Sequence, residues 1–292
     1  LPNILKNQIC KKFNCEIKKI NIMITGGTGF LGYQIVKQLT KKNYKNITLL
    51  VRKKPTNLNF DNDVKFIITK DIFSESIKSL KKKLKNIDLL IHCAWYVDPK
   101  DYLTSKKNID CLVGTINLAK AASESGVKRL VGIGTCFEYD VSKKYLSKNT
   151  NLSPQLLYSA CKASAYLTLD KFLNLNKVLF KWCRVFYLFG ENEKPNRLYP
   201  LIQRKLKNNE KIYLGPGNQI RDYMDVKDAA KMIINFSMND IKGVKNICSS
   251  TPISIKNFAI NIAKKVGKQK LLIFSKKTLH RSFDPNFIVG IK

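Results

Sequence analysis

Tyr158 and Lys162 stand four residues apart in Tyr158-Ser159-Ala160-Cys161-Lys162, on a segment patterned as a helix, so both side chains share one face. A nearby ammonium lowers a phenol's pKa and lets it exchange a proton near neutral pH; it can also hold the hydroxyls of a ribose. A pair at this spacing is common on helices, and a third group sets this one apart. Thr135 follows a predicted strand at 129–134, where its hydroxyl can hold a carbonyl or alcohol at the mouth of a sheet, the place where such ligands bind.

A second constellation lies nearer the start. Thr25-Gly26-Gly27-Thr28-Gly29-Phe30-Leu31-Gly32 sets Gly26, Gly29 and Gly32 between a short apolar run and a helical pattern that Phe30 and Leu31 open. Glycine lets the backbone turn sharply and approach a pyrophosphate, whose charge then rests on the helix N-terminus. Tight turns need glycine as well, but the strand-to-helix context favours a dinucleotide. Where an NAD site would offer an acid to the ribose, the sequence reads Val51-Arg52-Lys53-Lys54, without a carboxylate. Arg52 can pair with the 2′-phosphate of NADP; the alternative is one more cation in a cation-rich chain, so NADP is preferred with NAD kept open. Asp71, with Ile72 beside it, is a candidate partner for the adenine.

The elements that must position these groups follow from periodicity. Apolar runs at 20–25, 47–51, 64–68, 88–94, 129–134 and 180–186 read as strands, with helical patterns between most of them, including 30–39. This alternation predicts an α/β fold with a doubly wound parallel sheet. After Gly190 the texture changes: Pro195, Pro200, Gly215, Pro216 and Gly217 break the segment into a smaller, less regular lobe. Helices are expected at 225–238 and 253–266, the latter announced by Thr251-Pro252. The expected organisation is a polar extension at 1–19, a dinucleotide-binding domain over 20–186 plus about 225–247, and a discontinuous substrate lobe over 187–224 plus 248–292.

Together these motifs resemble the extended short-chain dehydrogenase/reductases, the NAD-dependent epimerase/dehydratase family. The resemblance runs from about residue 20 to the end of the chain. It is carried by the glycine motif, Ile91-His92-Cys93-Ala94, Asn108 with Gly114-Thr115-x-Asn117, Thr135 and Tyr158-x-x-x-Lys162. It continues through Arg184-Val185-Phe186-Tyr187-Leu188-Phe189-Gly190 and Gly217-x-Gln219-x-Arg221-Asp222-Tyr223-x-Asp225-Val226-x-Asp228. The resemblance implies a Rossmann fold and a homodimer. It makes Thr135, Tyr158 and Lys162 catalytic, Cys93, Ala94 and Asn108 part of the cofactor site, and Arg221 a ligand of a nucleotide diphosphate. Cys136, Phe137 and Tyr187 become substrate contacts. Trp95 and Tyr96 either wall the sugar site or are ordinary core aromatics, and His92 is a structural residue beside the cofactor. His280 has no identifiable partner.

The departures narrow the chemistry. Dehydratases of the family follow the catalytic Thr with Asp and Glu; here Cys136 and Phe137 stand there, which disfavours dehydration. Glu138, one position later, is either a substrate contact or a buried salt-bridge partner. Tyr187 replaces the usual Asn.

The chain carries 53 Lys+Arg against 21 Asp+Glu, a net charge of +32 over 292 residues. The lysines are scattered over nearly every polar segment instead of concentrated with interleaved aromatics, which favours solvated faces over a nucleic-acid surface. The field would still draw in anionic substrates. No apolar stretch reaches the length of a membrane span, and no repeated C-x-x-C pair offers a metal site. Eight cysteines without that pattern fit reduced thiols in the cytoplasm; Cys10 and Cys15 read as incidental. The first 20 residues lack an initiator Met and the apolar core of a signal peptide. The apolar segment at 287–291 raises the expectation that the natural C-terminus lies beyond Lys292.

The expected reaction is reduction of a 4-keto-6-deoxyhexose on a nucleotide diphosphate, in surface-polysaccharide precursor synthesis. The alternatives are a nucleotide-sugar 4-epimerase with retained NAD and, from a different class, a non-catalytic polyanion-binding protein. The intact Thr135, Tyr158 and Lys162 count against the last, because a pure binder has no need of all three.

Overall fold

The computed structural model describes residues 19–61, 63–276 and 285–292. Most of the N-terminal extension, with Cys10 and Cys15, and His280 lie outside the described residues.

Strand β1 (Ile22–Thr25) is buried along its whole length, as its unbroken apolar run requires of a central parallel strand. It pairs in parallel with β2 (Ile47–Val51) on one side and β4 (Leu89–His92) on the other. Beyond β2 lies β3 (Lys65–Ile68), whose exposed ends suit a sheet edge. Beyond β4 come β5 (Arg129–Thr135), β7 (Leu179–Val185) and β11 (Gly243–Ile247), giving the order β11-β7-β5-β4-β1-β2-β3 with every pair parallel.

Helices cover both faces. Ile35, Val36 and Leu39 of α1 (Phe30–Lys41) share one core cluster with Ala229, Ala230 and Ile233 of α6 (Val226–Met238). On the other face Leu80 and Leu84 of α2 (Ile77–Leu84), Leu118 of α3 (Lys107–Glu124), and Leu169 and Leu173 of α4 (Leu157–Leu175) form the second. This is the doubly wound Rossmann arrangement that the strand-helix alternation predicts.

A third cluster holds the smaller lobe. It joins Ile202 and Leu206 of α5 (Leu198–Lys207) to Phe258 and Ile262 of α7 (Ile255–Lys264). Beneath these helices lies a three-stranded sheet of β8 (Tyr187–Phe189), β10 (Ile220–Asp225) and β12 (Pro252–Ser254), where Tyr223 stacks on Phe258 with ring centroids 3.9 Å apart. Two short parallel pairs complete it: β9 (Ile212–Leu214) with β13 (Leu272–Phe274), and β6 (Tyr145–Leu146) with β14 (Val289–Gly290).

The sequence reading differs in the bounds of several strands, the run at 88–94 shortening to β4 and that at 180–186 shifting to β7, and at three further places. β11 carries Lys245 and Asn246 and reads as polar, yet backbone pairing to β7 makes it the edge strand. The helix expected at 253–266 begins at Ile255, because residues 252–254 pair antiparallel with β10 and the Ser254 hydroxyl accepts from Asn257 N at 3.0 Å. The helix expected at 225–238 is capped by Asp225, whose carboxylate accepts from Lys227 N at 2.8 Å. No helix among the described residues is long and apolar enough to cross a membrane.

Candidate active site

The glycine loop connects β1 to α1. Gly26 adopts φ +67°, and a Cβ there would lie 2.6 Å from Ala94 N, so the backbones of the β1 and β4 loops touch without an intervening side chain. A side chain at Gly32 would collide with the carbonyl of Gly26. Gly29 caps α1 without a side-chain hydrogen bond, and no acid sits in the first turn. The first-turn amides therefore have no side-chain acceptor, which is what a pyrophosphate needs. Arg52 is exposed just past β2, while Ile72 is buried and Asp71 accepts from Phe73 N at 3.2 Å.

His92, at the end of β4, is held between two hydroxyls, with Nδ1 2.7 Å from Thr25 Oγ1 and Nε2 2.9 Å from Thr115 Oγ1. Burial, with Lys162 nearby, pushes its pKa down to about 3, so it is a neutral structural strut. Burial also pushes the Cys93 thiol up to about 12.

Thr135 ends β5, Tyr158 and Lys162 lie in the first turns of α4, and all three are buried. The Thr135 side chain lies close enough to Tyr158 to lower its pKa, against the larger rise from burial. The Thr135 hydroxyl also accepts from Phe137 N at 3.3 Å. Tyr158 N donates to Leu103 O at 3.1 Å, tying the helix start to the loop after β4. The expectation that Lys162 acidifies Tyr158 is corrected here. Burial pushes the phenol above its usual range, and Tyr102 and Glu138 add to the rise. Lys162 instead donates to Ile133 O at 2.6 Å and sits 3.8 Å from the centre of the Trp95 ring.

Behind Thr135 lies a buried polar network. Glu138 accepts from Thr135 N at 2.8 Å, from Trp182 Nε1 at 3.0 Å and from Arg184 Nε at 2.6 Å. Glu138 is therefore the salt-bridge partner of the two alternatives, and its position faces the β7 side of the sheet. Gly132 and Gly134 make room for it: a Cβ at either would strike Trp182.

Other assigned residues divide. Phe137 and Tyr187 meet edge to face at 6.2 Å, and the Arg221 guanidinium lies 5.2 Å from the Tyr187 ring centre, so these three run in series from Thr135 into the smaller lobe. Cys136 does not join them: its side chain is packed in an apolar cluster with Tyr139, Phe186, Cys248 and Ile288, which makes it a core residue. Asn108 is fully buried, its Oδ1 accepting from Trp95 Nε1 at 2.8 Å and its Nδ2 donating to Tyr102 O and Ser105 O, so it reaches the site through Trp95. Tyr96 turns outward to Asp101.

The sequence reading missed Tyr102 and Arg197. Tyr102 meets Tyr158 edge to face at 5.1 Å, and Arg197 lies 5.6 Å from the Tyr102 ring centre, bringing the loop after β4 and the cap of α5 over the Tyr158 phenol. Neither belongs to a periodic segment or a short motif, so only the tertiary fold could reveal them. A groove of about 930 Å³ between α5 and α7, lined by Tyr199, Phe258 and Lys265, includes none of Thr135, Tyr158 and Lys162.

Comparison with known proteins agrees with this geometry. The family model for the NAD dependent epimerase/dehydratase family matches residues 22–248. A dTDP-6-deoxy-L-talose 4-dehydrogenase (NAD(+)) of Aggregatibacter actinomycetemcomitans is 24% identical over 289 residues, covering 94% of this chain and 100% of that protein. The Escherichia coli dTDP-4-dehydro-6-deoxyglucose reductase is 25% identical, covering 89% and 86%. Among solved structures, the UDP-N-acetylglucosamine 4-epimerase of Methanobrevibacter ruminantium superposes with a TM-score of 0.83 at 24% identity, covering 93% of this chain and 89% of that one. The glycine cradle, the Thr-Tyr-Lys cluster and the match over most of its length agree: the chain is an enzyme of the NAD dependent epimerase/dehydratase family.

Proposed function

We propose that this enzyme reduces the 4-keto group of a nucleotide-diphosphate 6-deoxyhexose, in the synthesis of surface-polysaccharide precursors. The observation that carries this reading is Glu138 locked in a buried pair with Arg184 behind Thr135. With Cys136 in the core and Phe137 in the adjacent position, no free carboxylate follows the catalytic Thr to move protons at C5 or C6. What remains is proton exchange at one oxygen.

The residues present fit a nicotinamide dinucleotide. The Gly26–Gly32 segment and the start of α1 would hold its pyrophosphate, Asp71 and Ile72 its adenine, Cys93 and Ala94 its middle, and Tyr158 and Lys162 its ribose. Arg52 supports NADP over NAD. Bound, the cofactor supplies the hydride. Thr135 holds the sugar oxygen and Tyr158 protonates it. A phenol kept protonated by burial is in the form that a reduction consumes. Tyr187 and Arg221 would take the sugar-proximal diphosphate, with Trp95 and Phe137 as walls. In the same reading the protein is a cytoplasmic homodimer, supported by Ile109, Val113 and Leu167, which leave apolar surface on the outer faces of α3 and α4.

Deuteride transfer tests it. With [4-²H]NADPH and a dTDP-4-keto-6-deoxyhexose, one deuterium at C4 of the product is expected. No deuterium at C4 and no NADPH consumed, together with 4-epimers equilibrating from a 4-hydroxy nucleotide sugar on retained NAD, would replace the reductase with the epimerase.

A further inference from the structure

Lys162 is buried with few partners, and what surrounds it is unusual. Its ammonium donates to Ile133 O at 2.6 Å, and the indole of Trp95 covers it at 3.8 Å, with the Trp182 ring more distant at 5.9 Å. The indole is itself held. Its Nε1 donates to Asn108 Oδ1 at 2.8 Å, and Asn108 is fixed by two carbonyls of the loop that carries Trp95 into α3. Phe73 meets the indole edge to face at 6.5 Å. A ring fixed at its edge and presenting its face to a desolvated cation meets the geometry in which cation–π attraction is strongest.

We infer that Trp95 is a positioning residue for Lys162: the Asn108-anchored indole face keeps the buried ammonium charged and in place for the cofactor ribose. The inference rests on the reading of Lys162 as a ribose ligand.

Of the other groups facing Lys162, Glu138 raises its pKa through charge, although its ion pair goes to Arg184. His92 is neutral, and the thiols of Cys93 and Cys111 are pushed up to about 12 and about 11 and stay protonated. On its own helix Tyr158 is held protonated. Burial pushes Lys162 down to about 8, close enough to working pH for the indole to matter.

The sign follows. A ribose-binding ammonium supports cofactor binding below its pKa and loses that support above it. Dissociation constants for NADPH and NADH between pH 6.5 and 10 should rise above about pH 8 in the wild type. In Trp95→Leu the rise should begin about one unit lower, giving roughly tenfold weaker binding at pH 8.5 with near-normal binding at pH 6.5. Trp95→Phe, a weaker π face, should shift by about half a unit, and it serves if the Leu variant does not fold. Equal weakening at every pH, or an unmoved alkaline limb, would overturn the proposal and leave Trp95 a packing residue. Lys162→Met separates the two readings. Its expected result is weak binding without the alkaline limb; wild-type affinity there would remove Lys162 from the cofactor site and the Trp95 proposal with it.

Discussion

Glu138 holds Thr135 by the backbone: its carboxylate accepts from Thr135 N at 2.8 Å and from Arg184 Nε at 2.6 Å, linking the C-terminal end of β5 to the adjacent strand β7. The Thr135 hydroxyl, proposed to hold the substrate oxygen, is thereby placed from the opposite side of the turn. Glu138→Gln leaves Arg184 as an uncompensated buried cation. The expected cost is about 3 kcal/mol of stability, read from denaturant midpoints. Turnover at saturating cofactor should fall. Unchanged turnover would detach Glu138 from the placement of Thr135.

Tyr158→Phe removes the proposed proton donor but keeps the ring against Tyr102. Turnover should drop by roughly 10²-fold or more, the scale of one positioned acid, with the cofactor dissociation constant nearly unchanged. A rate equal to the wild type would take Tyr158 out of the mechanism.

Arg52→Ala tests which dinucleotide the β2 end reads. NADPH binding should weaken by about tenfold or more and NADH binding by little, since only the former loses a charge-assisted contact. Equal losses would put recognition of the 2′-phosphate elsewhere.

His92 makes an acid-side prediction for stability. Its folded pKa is depressed to about 3, below the ordinary 6.5, so the unfolded chain binds a proton that the native state refuses. Stability from this group is full above pH 6.5 and falls as pH drops, by about 1.4 kcal/mol per unit, or roughly 2 kcal/mol between pH 6.5 and 5. The chain has only two histidines, so His92→Asn should flatten that slope in urea titrations at the two pH values. A slope that persists in the variant would assign it to other groups.

The parts of the site set by local rules were legible in the sequence. Gly26 and Gly32 are demanded by one tight turn, and Tyr158 and Lys162 by one helix face, so spacing alone indicates them. Relations across the sheet were not. Whether Glu138 faces substrate or a buried partner depends on Arg184 lying on β7, and the orientation of Trp95 depends on Asn108 and Lys162 from two different helices. Cys136 looked like a substrate contact because it neighbours Thr135, yet the turn after β5 directs it into the core. β11 was hidden because backbone pairing at an edge tolerates polar side chains.

The most direct test of the proposed reaction is a cofactor balance. Purified protein is analysed for bound dinucleotide, then mixed with NADPH and a dTDP-4-keto-6-deoxyhexose while absorbance at the reduced-nicotinamide band is followed. An empty, exchangeable site and one NADPH consumed for each 4-keto group reduced are expected. Stoichiometric NAD retained through purification, no NADPH consumed with the 4-keto sugar, and 4-hydroxy epimers interconverting when supplied in its place would contradict the proposed reduction.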